Sequence, residues 1–243
     1  MNFQVPNYIL FSSITLVIIL LISLGFWQIE RNDWKQNLIL EKNTNLLLEP
    51  LNTSTINEID KKSFDYRRIS IEGKWDFSHP FFLGNKVKKN NLGEEIVIPF
   101  LLANNNGVIL VNRGWYPVFE RQKVIDKLKE NQSETLEGLI RVTKYTGKQT
   151  SNGVWTAFDR ESMGKKLPYE VEEWVVFEGK AENNYKNSSA YPIQGWAIYT
   201  STTPHIEYAL TWFGLALVLL IATIARFVKN QRPKNSILSQ QSD

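Results

Sequence analysis

Two long apolar runs near opposite ends of the chain, with nearly everything polar between them, constrain the fold more than any other feature. The first, Tyr8 to Phe26, and the second, Tyr208 to Ala225, contain no charged side chain. A helix of about 20 apolar residues crosses a hydrocarbon core of ~30 Å, so each run is long enough to span. The competing reading of the first run is a cleavable secretory signal, and Ser23-Leu24-Gly25 offers a small-x-small pattern for it. Residues 1–7 carry no Lys or Arg, and the run is longer than a signal's apolar region, which favours an uncleaved anchor. For the second run the rival is a buried core helix; the uninterrupted length and the basic residues after it favour a span.

Charge sets the expected orientation. Arg226, Lys229, Arg232 and Lys234 follow the second run, and an excess of Lys and Arg marks the cytoplasmic side. Two spans then return the N-terminus to that side and leave the middle block outside. Arg31 and Lys35 follow the first run closely and weaken this signal. The expected layout is a span over 8–27, an extracytoplasmic β-rich domain over 28–204, a span over 205–227 and a cytoplasmic polar tail over 228–243.

The middle block reads as one folded domain of about 180 residues. A net charge of +3 and 43% hydrophobic residues argue against disorder and against a nucleic-acid surface. The absence of cysteine removes disulfides, thiolate metal sites, a catalytic thiol and c-type haem attachment together.

Periodicity places the elements. Trp27, Trp34 and Leu38, with Arg31 on the same face, predict an amphipathic helix from Trp27 to Leu48 that continues the first span and ends before Pro50. Strand-like patterns follow at Arg67–Ile71, stopping at Gly73, then at Glu95–Ala103, Val108–Asn112, Thr135–Val142, Glu173–Phe177 and Gln194–Tyr199. Asn104-Asn105-Asn106-Gly107 reads as a hairpin loop, and Glu120–Glu130 as a short charged helix. The fold class expected is a membrane protein with two transmembrane α-helices flanking a β-rich, barrel-like α+β domain.

Few residues offer chemistry. The histidines are His79 and His205, and neither belongs to a triad motif; G-x-S-x-G, H-E-x-x-H and phosphate-binding Gly-rich loops do not occur. A hydrolase, and an enzyme of any familiar type, is therefore not expected. His79, in Ser78-His79-Pro80, reads as a surface histidine. His205 opens the second run, with Pro204 suited to the first helical position and Thr203 to the cap. His205, Tyr208 and Trp212 recur at i, i+3 and i+7 and share one helix face. Two readings stand: an axial histidine for an iron-bearing planar molecule at the membrane edge, or ordinary aromatic and imidazole side chains at a bilayer interface.

Four segments carry a resemblance. Leu24-Gly25-Phe26-Trp27-Gln28 with Arg31 and Trp34-Lys35 resembles the opening signature of the surfeit locus protein family of cytochrome c oxidase assembly factors. Glu95–Phe100 and Val111-Asn112-Arg113-Gly114-Trp115-Tyr116-Pro117 resemble its central segments, and His205–Phe213 resembles the segment that opens its second span. Order and layout match too, so the resemblance covers nearly the whole chain.

The resemblance implies a chaperone-like membrane protein of the respiratory chain that binds haem a and assists its delivery or insertion into oxidase subunit I. Its partners would be that subunit, the haem a supply machinery and the lipid bilayer. The family's membrane-edge histidine maps onto His205, which would ligate the iron, with Tyr208 and Trp212 covering one face of the ring. Arg31 would pair with a propionate or, on the alternative reading, with lipid headgroups. Arg113 and Trp115 would form a docking edge after a strand or, alternatively, a turn arginine and a core Trp with Gly114 at positive φ. Pro204 stands where the family usually has Asn, and its Asn/Pro-rich segment is reduced to Thr150–Trp155 with Asp159 following. The alternative function is a cofactor-free scaffold for oxidase subunits. The location expected is the bacterial cytoplasmic membrane, ahead of the mitochondrial inner membrane.

Overall fold

The computed structural model describes residues 7–57, 63–88, 90–103, 107–142, 144–180, 190–196 and 203–231. The chain divides into two units: residues 1–39 with 200–243, and residues 40–199. The hairpin loop over Asn104–Asn106, Arg232, Lys234 and the polar tail lie outside the described residues.

Among the described residues the first unit holds two helices. Helix α1 runs unbroken from Asn7 to Leu47, its last residues belonging to the second unit, and it stops short of Pro50. Helix α4 covers His205–Gln231. Both are long and apolar enough to cross a membrane, and little of either is buried; a core helix of a soluble protein would be mostly covered. The helices run antiparallel. Phe11 meets Phe227 and Phe26 meets Phe213 edge to face, at centroid distances of 5.8 and 5.4 Å. Small residues mark the approach: Gly25, Ala209 and Ala216 are buried, and a Cβ on Gly25 would lie 2.5 Å from the Phe213 ring. Close approach through small residues is how apolar helices associate where no water drives them together.

Among the described residues the second unit has six strands: β1 (Arg68–Trp75), β2 (Phe81–Lys88), β3 (Asn91–Leu102), β4 (Val108–Pro117), β5 (Thr135–Arg141) and β6 (Val175–Glu178). Their order is β1-β5-β6-β4-β3-β2, and β1 also pairs with β3. That extra pairing curls the sheet into a barrel, with β2 as a flap on the outer half of β3. Only β4–β6 is parallel among the named pairs. Helix α2 (Arg121–Glu130) buries Val124 and Leu128, and the short α3 (Arg160–Gly164) is capped by Asp159, whose carboxylate accepts from the Ser162 amide.

Two cores sit on opposite faces of the sheet. Ile69, Ile71, Ile96, Ile98, Phe100, Ile109, Val111 and Val176 fill one. Leu83, Val97, Leu110, Trp155, Phe158, Met163 and Val175 form the other. Strands buried on both faces read as continuous apolar runs rather than alternating ones, which accounts for Ile96-Val97-Ile98 and Val108–Val111.

The structure corrects several expectations. Strand β1 passes through Gly73 to Trp75 instead of stopping there; the glycine is needed because β3 crosses directly against it, at Leu101 and Phe100. Strand β4 extends past Asn112 to Pro117. Its register against β3 shifts between Glu95 and Val97, opposite Trp115 and Asn112. The extra β4 residue forms a bulge with Gly114 at φ +111. Arg113 and Trp115 are therefore inside a strand and buried, at 3% and 1% exposure, so they form no docking edge. Residues 197–199 of the strand expected over Gln194–Tyr199 lie outside the described residues, and Gln194 and Gly195 are in no strand. Strand β2 and helix α3 were not anticipated.

Buried charge locks the barrel. Arg113 forks onto Glu178, Nε to Oε2 at 2.7 Å and Nη2 to Oε1 at 3.0 Å, and lies over the Trp75 ring at 3.7 Å. Glu94 takes both Nε and Nη2 of Arg121 and the Tyr116 hydroxyl. A bidentate guanidinium–carboxylate pair fixes geometry as well as charge. Burial and the neighbouring Glu94 charge push the Tyr116 hydroxyl far above the usual phenol range.

Candidate functional site

His205 is the first residue of α4. The Pro204 carbonyl accepts from the Tyr208 amide at 3.2 Å, so Pro204 is the cap and His205 the first helical residue, one position later than the sequence suggests. Proline suits this entry because it has no amide hydrogen to satisfy. The ring of His205 is half-buried. Its Nδ1 lies 2.8 Å from Gln28 Oε1 on α1. A carbonyl oxygen only accepts, so the tautomer that satisfies this contact carries its hydrogen on Nδ1 and its lone pair on Nε2. A metal-binding imidazole is oriented by just such a partner on its other nitrogen.

The first helix supplies more than Gln28. Gly25, Phe26 and Gln28, three residues of Leu24–Gln28, meet Phe213 or His205 on α4. The two segments resembling family signatures are therefore the two halves of one structural contact. Arg31 stands at i+3 from Gln28, where helix side chains are neighbours. It is exposed, and its guanidinium carbon lies 3.9 Å from the Trp34 ring centroid. Trp27 and Trp34 are exposed. On α4, Tyr208 is 50% exposed and Trp212 half-buried; helix geometry keeps them on the stripe that His205 begins. Spacing and motif in the sequence point to His205, Tyr208, Trp212 and Arg31, whereas Gln28 lies inside a motif with nothing in the sequence to mark a role for it.

The donor set limits what this arrangement can hold. Among the described residues no three His, Cys, Asp or Glu side chains converge on a metal site. A bare transition-metal ion takes three or four protein ligands, whereas a porphyrin brings four equatorial nitrogens and asks the protein only for axial ones. One oriented imidazole beside exposed aromatic rings and an arginine fits the second case.

The other histidine lies in the second unit. His79 Nδ1 and the Tyr169 hydroxyl both contact Asp76 Oδ2 at 2.6 Å. Burial raises the Asp76 carboxyl, but hydrogen bonds from Tyr169, His79 and the Ser78 amide outweigh it and hold the group below the usual carboxylate range. This cluster ties the β1–β2 turn to the segment after α3. A cavity of about 420 Å³ on the second core face is lined by Lys86, Glu95, Asn112, Arg141, Phe158 and Trp196, among others. Asn112 donates to Glu95 there at 3.0 Å, and no imidazole faces it.

A β-barrel domain with two apolar helices long enough to cross a membrane, and an oriented imidazole where the second helix begins, fits the class of membrane-associated proteins. The chain belongs to the SURF1 family, whose profile matches residues 15–217. It is similar to a SURF1-like protein of Rickettsia felis, 29% identical over 213 residues, covering 83% of this chain and 89% of the relative. Similarity reaches Surfeit locus protein 1 of Rattus norvegicus, 24% identical over 229 residues, covering 85% of this chain and 72% of the relative. The Homo sapiens protein of that name is 24% identical over 230 residues, with 85% and 73% covered.

Proposed function

We propose that this chain is an assembly factor for haem-copper cytochrome c oxidase, not an enzyme, and that it binds haem a at the membrane edge for delivery to subunit I. The observation that carries the reading is the Gln28–His205 contact at 2.8 Å. It fixes the ring and presents Nε2 as a ligand at the start of an apolar helix, where an isoprenoid tail can remain in lipid. Tyr208 and Trp212 would flank the macrocycle, and Arg31 would pair with a propionate, matching a carboxylate with its planar fork. When bound, the haem supplies the iron whose axial position His205 fills; the chain itself supplies orientation, apolar cover and charge. A cargo carrier must let go, and one strong ligand suits release better than a closed two-ligand cage.

On this reading the protein resides in a bacterial cytoplasmic membrane with both termini inside and the barrel outside. Arg226 and Lys229 after the second apolar run support that orientation. The test is expression in cells lacking their own copy of this protein but making haem a. Oxidase assembled with the wild-type chain and lost with His205→Ala, at equal membrane abundance, is the expected result. Normal assembly with His205→Ala would leave the cofactor-free scaffold as the better reading.

A further inference from the structure

The cavity on the second core face takes no part in the haem reading, and every residue lining it belongs to the second unit. Its floor crosses five strands: Leu139 of β5 pairs with Phe177 of β6, Phe177 with Asn112 of β4, and Glu95 of β3 with Leu83 of β2. On the same face Val97, Leu110 and Val175 are buried together with Trp155, Phe158 and Met163. Phe158 borders both this closed core and the cavity, where about 420 Å³ is left open. That volume is in the range of small-molecule sites, which combine apolar walls with a few placed polar groups.

The polar groups here are placed. Asn112 is buried at 4% exposure with both ends of its amide engaged: Nδ2 donates to Glu95 Oε2 at 3.0 Å, and Oδ1 accepts from the Gly114 amide at 2.9 Å. Asn112 thus holds Glu95 in position but supplies only one of the several hydrogen bonds that a carboxylate accepts. Lys86 pairs with Gly93 and so stands diagonal to Glu95 on one face of the β2–β3 hairpin, a placement that sets side chains about 7–8 Å apart. Both line the cavity and both are half-buried. They do not pair with each other, and among the described residues nothing else pairs with the Lys86 ammonium. Charges taken partly out of water and left unpaired cost stability, and a bound molecule that answers both recovers it.

The charges select the ligand. A molecule carrying only an anion would set like charge against Glu95, and one carrying only a cation would meet Lys86, Lys88 and Arg141 on the same walls. An anion and an ammonium close together on one molecule satisfy both sides with charge-assisted hydrogen bonds. The remaining wall is apolar, with Phe158 and Phe177 edge to face at a centroid distance of 6.0 Å. We infer that this cavity binds a small apolar zwitterion of the α-amino-acid type, its carboxylate on Lys86, its ammonium on Glu95 and its side chain against Phe158 and Phe177.

The full chain in detergent is titrated calorimetrically with L-phenylalanine, with 3-phenylpropionate, which lacks the ammonium, and with phenethylamine, which lacks the carboxylate. Acetylation of individual lysines, read by mass spectrometry, locates the site, with exposed Lys129 on α2 as the control. L-phenylalanine should bind about tenfold more tightly than either analogue and slow acetylation of Lys86 but not of Lys129. Glu95→Gln, which keeps an acceptor for Asn112, should weaken L-phenylalanine about tenfold and leave 3-phenylpropionate unweakened; Lys86→Gln should weaken both. Equal binding of L-phenylalanine and 3-phenylpropionate to the wild type, a comparison that needs no variant, would overturn the zwitterion assignment. Binding of L-phenylalanine that leaves Lys86 acetylation unchanged would overturn the location. No binding of any of the three at millimolar concentration would overturn the site altogether.

Discussion

Gln28 and His205 stand 177 positions apart in sequence, yet their side chains meet at 2.8 Å, Oε1 to Nδ1. The pair ties the first apolar helix to the first residue of the second and leaves Nε2 as the ring nitrogen outside this contact.

Gln28 is on this account a positioning residue. Gln28→Ala should weaken haem a binding about 10- to 100-fold without abolishing it, the usual cost of losing a ligand's supporting partner. Gln28→Glu should instead retain binding and lower the reduction potential of the bound haem, because a carboxylate makes the imidazole a stronger donor. Spectroelectrochemical titration of the two variants checks both; an unchanged potential in Gln28→Glu would assign the residue a merely structural role.

Arg113 is a buried cation of the barrel, with 4% of its side chain exposed, and Glu178 with 14% is its counter-ion. Removing one partner of a buried pair leaves the other charge stranded, at about 3–5 kcal/mol. Arg113→Ala should therefore lower the melting temperature of the domain on the order of 10 °C. Arg113→Lys should recover only part of this, since an ammonium cannot fork onto Glu178 and stack on Trp75 together. Circular dichroism melts decide it, and a shift within 2 °C of wild type, roughly the effect of a neutral surface change, would contradict the burial argument.

Gly114 sits at φ +111 with the Ile193 carbonyl against it. Gly114→Ala should cost about 1–3 kcal/mol from backbone strain alone, and more from the clash. It should also loosen the Trp115–Ile193 bridge, readable as faster amide exchange at Ile193, whose N–H donates to the Trp115 carbonyl at 2.7 Å.

Asp76 predicts an acid limb. Its native pKa is depressed by hydrogen bonds from Tyr169, His79 and Ser78 that prevail over burial. A depressed carboxyl stabilises the fold above its unfolded value, near pH 4, and that contribution disappears as pH falls through the lower native value. Wild type should thus exceed Asp76→Asn in stability at neutral pH, with the gap closing below about pH 4. Asp159, also depressed after its hydrogen bonds from Gly147 and Ser162 overcome burial, is present in both proteins and cancels. Denaturant melts at a series of pH values measure the gap; a gap that widens on acidification would reverse the sign.

Both apolar helices, the helical extension past the first run and five of the six described strands were legible because each shows one period, or one unbroken apolar run, over several residues. The misses have local causes. Strand β2 is interrupted by Gly84 and by Asn85 at φ +59, with a register break between Leu83 and Lys86, so its alternation is broken. Gly73 reads as a terminator, yet it marks a crossing of two strands. The Asn112–Trp115 segment looks like the end of a strand because a bulge carries a glycine. For the site, His205, Tyr208, Trp212 and Arg31 were visible as spacing and motif. Gln28 was not, because a single glutamine in the middle of a long helix has no period and its partner lies at the other end of the chain.

The most direct measurement is a titration of the purified full chain with haem a, followed by optical absorbance, beside His205→Ala of verified fold. The account predicts a saturable spectrum of axially ligated haem in the wild type and its loss in the variant. Identical titrations for the two proteins would contradict it.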